Sequence, residues 1–492
     1  MKDEGYYLVG REKQRMLTDN IEIDTSWCTT KDTKGCLTNA ILMAKLILHD
    51  LHVAKDHAGN LYYYDKGVYK PSGEVAIAEM YGRMLRIFDD EPQWSSRLKN
   101  EMIHWIGDNA EYILDRPDLD RINLKNGIYN WAKQEFYPSD PRYRTMVQIP
   151  IVYDPSARCP YWDTLLYELF PESGGPHLLK EVIALCMIPF MRLQKCIVLV
   201  GTGANGKSAF LNGLQAAIGW ENCCSVSLHK LTANNERFYT AGLVGKLVNI
   251  FGDLSVKAIE DTASFKALTG EDRVTVEYKG KQPFSYLPFT RLIFSCNQLV
   301  QSGDDASEGY KRRFVNIPFQ QVFSVDPKKG EEIQHNLSQP SELSGLFNSL
   351  IPIFPTIVED GFTITEELSS VIENYAPVPE KERAWLKTHI IEDANGHIPS
   401  TAFYTYFVTH AQITESISHA KVVTYVRNTF PGIKANSSVR VWPGEPPIKC
   451  YKGIRLVDSK VQSQVLEDAL KMRQESAITL NDILMPTVSR LV

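Results

Sequence analysis

Lys195 to Ile218 reads KCIVLVGTGANGKSAFLNGLQAAI, and this stretch decides the fold. The apolar run Cys196-Ile197-Val198-Leu199-Val200 predicts a buried strand. It breaks into Gly201-Thr202-Gly203-Ala204-Asn205-Gly206-Lys207-Ser208, and a pattern of helical period follows at once. Strand, glycine loop and helix in that order predict an open α/β core with ligands at the C-terminal ends of its strands.

The spacing G-x-x-x-x-G-K-[ST] has a chemical reading residue by residue. Glycines let the backbone curl until its N–H groups point at phosphate oxygens, beside a helix N-terminus whose dipole favours negative charge. Lys207 then places a charge on the β- and γ-phosphates, and the Ser208 hydroxyl completes a Mg²⁺ shell. ATP with Mg²⁺ is therefore the expected ligand of residues 201–208.

Composition narrows the class. At 492 residues the chain has the length of about three domains. A net charge of −6 excludes a protein that coats nucleic acid by overall charge, so any such contact must be local. Nine cysteines without C-x₂-C spacing read as reduced thiols. His49, His52 and His57 beside Asp50 and Asp56 read as solvated polar residues rather than a metal site. The start MKDEGYY lacks the basic and apolar regions of a leader, and the longest apolar run, near Val182 to Met191, is too short to span a bilayer. A cytoplasmic protein without a membrane partner is expected.

Residues 1–36 are polar and aperiodic and predict a flexible arm. Residues 37–190 predict a mainly helical domain ahead of the glycine-loop core. Helix patterns cover 40–48, 74–92 and 94–114, two short strands surround a turn at Lys66-Gly67, and a loop-rich connector runs from Arg121 to Trp162. Tyr62-Tyr63-Tyr64 reads either as cross-strand packing or as a base-stacking surface.

Beyond the glycine loop, the strand ending at Asp253 puts a carboxylate where Mg²⁺ and an attacking water need one. The β-rich pair 274–284 carries Lys279 and Lys281 at its tip, within reach of a phosphate backbone or solvated as a turn. A third strand, Arg291 to Ser295, ends at Asn297. Lys311-Arg312-Arg313 precedes a last strand, Phe314 to Phe319. A late arginine in such a set stabilises transferring phosphate on a neighbouring subunit.

These residues resemble the superfamily 3 helicases of phages, plasmids and phage satellites, a group related to the poxvirus primase-helicase. The resemblance rests on Gly201 to Ser208, Arg237-Phe238 through Gly245-Lys246, Phe265 to Gly270, the strand ending in Asn297, and Arg312-Arg313 before Ile317-Pro318-Phe319. The connector with Asn126-Gly127 and Asp154-Pro155 to Trp162 also resembles the domain before this motor. The resemblance implies an AAA+-like module over 191–355, a homo-hexameric ring, and ATP hydrolysis driving movement on single-stranded or forked DNA. It makes Asp253 the acidic strand-end residue and Asn297 the sensor. Arg313 becomes the arginine finger with Arg312 as fallback, and Lys279 and Lys281 become channel residues. Many relatives carry two adjacent acidic residues where this chain has Gly252-Asp253, which leaves open whether Asp253 acts alone or with another carboxylate such as Glu260. Neither a zinc-cysteine cluster nor a paired-carboxylate strand stands in residues 1–120, so no primase activity is expected.

After a proline-containing junction at 377–383, the stretch 380–460 resembles a winged helix: helices at 402–411 and 418–430, then a hairpin at 439–442 and 448–457. Within it Lys421, Arg427, Lys434, Arg440, Lys449, Lys452, Arg455 and Lys460 oppose only Glu445 and Asp458 in residues 416–460. With the 418–430 helix in a major groove, His419, Lys421, Tyr425 and Arg427 are candidate contacts, and Arg440 and Lys449 join them on the hairpin. The alternative is a basic face that packs on the motor. The helical tail, 461–492, carries an apolar stripe suited to a neighbouring subunit or a partner. The whole predicts an ATP-driven replicative helicase of a mobile genetic element that recognises duplex origin DNA, with replication proteins of the host or phage as further partners. Two rivals stand beside it: an origin-binding initiator that recruits a host helicase, and a nucleotide-stabilised scaffold.

Overall fold

The computed structural model describes residues 39–87, 94–201, 204–233, 237–252, 254, 262–297, 309, 312–323, 326–373, 380–411, 417–430 and 432–484. The arm at 1–36 lies outside them, as do Thr202, Gly203, Asp253 and Glu260.

The first unit is mixed rather than mainly helical. Helix α1 (Ala40–Asp50) starts where the Asn39 side chain accepts from the N–H groups of Ile41 and Leu42. Strands β1 (Val53–Lys55), β2 (Leu61–Asp65) and β3 (Val68–Pro71) follow, then α2 (Gly73–Ile87), α3 (Ser96–Asn109) and β4 (Glu111–Tyr112). The four strands make a sheet in the order β3-β2-β1-β4, with β4 parallel to β1. Met43, Ile47, Tyr81, Met84, Met102 and Ile106 are fully buried between the three helices. The tyrosine run is cross-strand packing: Tyr62 is buried with its hydroxyl donating to Asp56, and Tyr64 packs on Tyr69 of β3.

The expected loop-rich connector is a second sheet. β5 (Arg121–Leu124), β6 (Gly127–Asn130) and β7 (Glu135–Tyr137) pair antiparallel in sequence order. The Asn-Gly pair belongs to the turn between β5 and β6, and Gly127 is required there: a Cβ would lie 2.4 Å from the Tyr137 carbonyl oxygen. Strands of three and four residues are too short for a period-2 signal, which is why they read as loop.

Helices α4 (Pro160–Leu169) and α5 (Gly175–Met187) lead into β8 (Cys196–Val200), which is followed by α6 (Lys207–Ile218), β9 (Cys223–Cys224), β10 (Val248–Phe251), α7 (Thr262–Thr269), β11 (Val274–Val276), β12 (Phe284–Tyr286), β13 (Arg291–Cys296) and β14 (Phe314–Pro318). Five of these strands form a parallel sheet in the order β14-β8-β13-β10-β9. β8 and β13 are buried at every residue, as expected of parallel strands covered on both faces. Alternation sends Ile197 and Leu199 into one core and Cys196, Val198 and Val200 into the other. The larger core also takes in α4, α5 and residues as far as Leu368, through α8 (Pro327–Leu337), α9 (Pro340–Leu350), α10 (Ile353–Glu359) and α11 (Glu366–Glu373). The parallel-sheet unit is thus continuous with the helices expected to precede it, because α5 is apolar and buried nearly all round.

Arg291, at the start of β13, is almost wholly buried. Its guanidinium donates to the carbonyls of Lys195 (2.9 Å) and Phe190, the chain that enters β8. Burial pulls its pKa down to about 10, so it stays charged at neutral pH.

The C-terminal unit has its own core. It runs α12 (Glu380–His389), β15 (Ile390–Pro399), α13 (Ser400–His410), α14 (His419–Thr429), β16 (Lys434–Val439), β17 (Ile448–Leu456) and α15 (Ser459–Leu484). The strands make an antiparallel sheet ordered β15-β17-β16. The sequence pattern missed α12 and β15 and placed the first hairpin strand about five residues late. The tail's stripe is already occupied: Val465 and Ala469 of α15 are buried in this same core. Among the described residues no helix is long and apolar enough to cross a membrane.

Candidate active site

The glycine loop is built by close approach. A Cβ on Gly201 would fall 1.8 Å from the Asn205 Nδ2 and 2.6 Å from the Phe319 carbonyl oxygen, and one on Gly206 would fall 2.1 Å from a Leu169 methyl. Gly206 has φ +81° and Ala204 φ +50°, the left-handed region that glycine tolerates best. The loop is tied to the segment after β14: the Phe323 N–H donates to the Ala204 carbonyl (2.7 Å), and Asn205 Nδ2 donates to the Phe319 carbonyl (3.2 Å).

Lys207 is buried. Its ammonium donates to the Gly201 carbonyl at 2.6 Å and to Asn205 Oδ1 at 3.0 Å. Desolvation lowers its pKa from the ordinary lysine value, so a neighbouring anion would be strongly favoured. Gly206 caps α6 without a side-chain acceptor, leaving the first-turn amides to a ligand. Ser208 is exposed at this end.

Opposite the loop stand Gly252 at the end of β10 and Ser295, Cys296 and Asn297 at the end of β13. Sheet order explains the meeting, since β13 lies between β8 and β10 and all three run parallel. The loop and these strand ends line one cavity of about 700 Å³. Asp253 follows Gly252 directly but is outside the described residues. Sequence reasoning missed the rest of the wall: Leu165, Glu168 and Leu169 of α4, Phe323 before α8, and Asp326, Lys329 and Ile333 at its start. No motif marks them: α4 reaches the loop through Leu169 against Gly206, and the turn after β14 brings Phe323 and the start of α8 back over it.

The arginines lie at the other edge of the sheet. The Cys196 N–H donates to the Arg313 carbonyl (2.7 Å) and Lys195 Nζ to the Arg312 carbonyl (2.6 Å), a strand length of roughly 15 Å from the loop. Arg313 does not fit the role of finger: its side chain is buried, with Nε donating to Thr269 Oγ1 at 3.0 Å and the guanidinium also bonded to the Gly309 carbonyl. Arg312, the fallback residue, is exposed, and among the described residues its guanidinium donates to Gln194 Oε1 (2.6 Å).

Lys279 and Lys281 are exposed at the tip of the β11–β12 hairpin. Its base is tied to the first unit: Arg273 pairs with Asp115 (3.1 Å), whose other oxygen meets His57 (2.8 Å). Burial, then Asp56, pushes the Tyr278 hydroxyl up to about 12.

The helix face expected to enter a groove is not one face. In α14, residues 422–426 are all buried, and five successive residues at 100° sweep more than a full turn. Tyr425 is a core residue, 4% exposed, and cannot contact a base edge. His419 is half-buried against the Ser400 carbonyl (3.1 Å). Lys421 is half-buried, while Arg427, Arg440 and Lys449 are exposed.

Residues 40–171 match the family described as D5 N terminal like, and residues 199–313 match DUF5906, a family of unknown function. No curated protein matches the chain. Among solved structures, the A form apo structure of the NrS-1 C terminal region is 12% identical, with a TM-score of 0.44 over 84% of this chain and 99% of that one. A second apo structure of the same region is 13% identical, with a TM-score of 0.44 over 84% and 98%. Neither family match singles out superfamily 3.

Proposed function

We propose that this chain is the ATP-dependent DNA helicase of a mobile genetic element, an AAA+-like P-loop motor that works as a hexameric ring and carries a C-terminal winged helix. The observation that supports it best is the convergence on one cavity of loop residues 204–208, the end of β10 and Asn297. In this reading the α6 N-terminus and the loop amides hold the triphosphate, and Lys207 exchanges the Gly201 carbonyl for phosphate oxygens. Mg²⁺ held by Ser208 and Asp253 would neutralise charge on the β- and γ-phosphates. Asp253 and Asn297 orient the attacking water. Arg312 of the next subunit meets the charge that develops on the departing phosphate, a contribution of about 10³ or more in rate. Lys279 and Lys281 contact single-stranded DNA, and the hairpin's link to Asp115 passes its movement to the first unit.

The test is unwinding of a forked duplex by wild type and Lys207→Ala, with ATP hydrolysis measured with and without DNA. The expected result is DNA-stimulated hydrolysis and unwinding that both vanish in Lys207→Ala. Hydrolysis indifferent to DNA, or unwinding retained by the variant, overturns the reading.

A further inference from the structure

The central strand of the C-terminal sheet carries a charge arrangement that folding does not explain. Lys452 of β17 lies directly opposite Lys434 of β16 on one side and His397 of β15 on the other. Directly opposite residues project from the same face, with Cβ atoms about 5 Å apart, and like charges so placed are destabilising. Both lysines are exposed, and the next pair, Ile398 and Tyr451, is buried, so the row lies on the solvent face. Neither ammonium has an ion-pair partner among the described residues. The acidic residues of this sheet, Glu392 and Asp393, lie across the β15 bulge, and Asp393 is already held by Arg455 (3.0 Å). Exposed Lys449 and Arg440 stand at the open end of β16 and β17. An unneutralised cationic row on a chain of net −6 fits a polyanion laid across it.

We propose that this sheet face, and not helix α14, is where the C-terminal unit binds DNA, through the sugar-phosphate backbone alone. The proposal rests on the reading of the chain as a DNA motor and specifies how this unit serves it. The buried turn of α14 denies the groove a readout helix, while lysines on a sheet surface neutralise phosphates without reading bases. The C-terminal unit therefore grips DNA of any sequence.

The experiment measures binding of the full-length protein to two duplexes of unrelated sequence by fluorescence anisotropy, between about 50 and 200 mM salt. Each lost phosphate contact lowers the salt slope by about 0.9, so Lys434→Gln with Lys452→Gln should flatten it by about 1.8, equally on both duplexes. Thermal melting of the double variant should match or exceed wild type, because the like-charged pair is relieved. Lys421→Gln with Arg427→Gln should leave the slope unchanged. An unaltered slope in the sheet variant, a loss confined to one duplex, or a loss carried by the α14 variant instead overturns the proposal. Wild-type hydrolysis that ignores DNA would overturn the motor reading separately.

Discussion

Asn205→Asp tests the loop chemistry most sharply, because it changes one atom beside Lys207. In the structure Asn205 Oδ1 accepts from the Lys207 ammonium at 3.0 Å while Nδ2 donates to the Phe319 carbonyl at 3.2 Å. A carboxylate there turns the first bond into a buried ion pair that holds Lys207 back from its ligand. A phosphate oxygen that takes Lys207 as donor would sit about 5 Å from the new charge, a repulsion of about 3 kcal/mol at an effective dielectric of about 20. That corresponds to about 100-fold in Kd for ATP. The Phe319 carbonyl also loses its donor, at about 1–3 kcal/mol of stability. Asn205→Ala loses the same bonds without adding charge, and its affinity should fall by less than about tenfold. The assay is titration of a fluorescent ATP analogue, with thermal melting to show that each variant is folded. A folded Asn205→Asp protein that binds within about threefold of wild type would refute the reasoning.

Other expectations follow from the same geometry. Burial lowers the Lys207 pKa, so below the ordinary lysine range the unfolded chain keeps a proton that the folded one releases, and stability of the nucleotide-free protein rises with pH through that window. ATP binding should draw that proton back, visible as buffer-dependent heat in alkaline calorimetry and abolished by Lys207→Arg. Arg312→Ala should cut DNA-stimulated hydrolysis by about 10³ with little change in melting temperature. Arg313→Ala should instead destabilise by about 3 kcal/mol, through the unsatisfied Thr269 and Gly309 groups, read by denaturant unfolding. Tyr425→Ala should cost about 3–5 kcal/mol as a core truncation, and a fully folded variant with weakened DNA binding would return it to the surface.

What was legible in the sequence was whatever repeats a local physical rule. The strand, loop and helix at 196–218, the strand ending at Asn297 and the hairpin at 274–286 all carry periodicity or turn chemistry within a few residues, and each stands where it was expected. The sheets at 53–112 and 121–137 were partly invisible because strands of two to four residues have no period to read. That Arg313 is buried and Arg312 exposed was beyond reach for another reason. The two arginines stand in the turn just before β14, and which of them is buried is settled by Thr269, a partner 44 positions earlier. Tyr425 failed likewise, since α14 reads as amphipathic but its turn at 422–426 is buried on every side by tertiary packing.

Arg291 bears on the site from the far end of its strand. β13 pairs with β8 in register, Ile293 against Ile197 through to Cys296 against Val200, and the guanidinium bolts the heels of both strands together. The spacing of Gly201 and Asn297 at the toes is therefore set where no ligand touches. A slip of one position at the heel would carry Asn297 about 3.3 Å along the sheet and turn it to the opposite face. Alignment of the chemistry is thus a mechanical property of the sheet, and damage at its base should reach the cavity as misaim rather than as lost affinity.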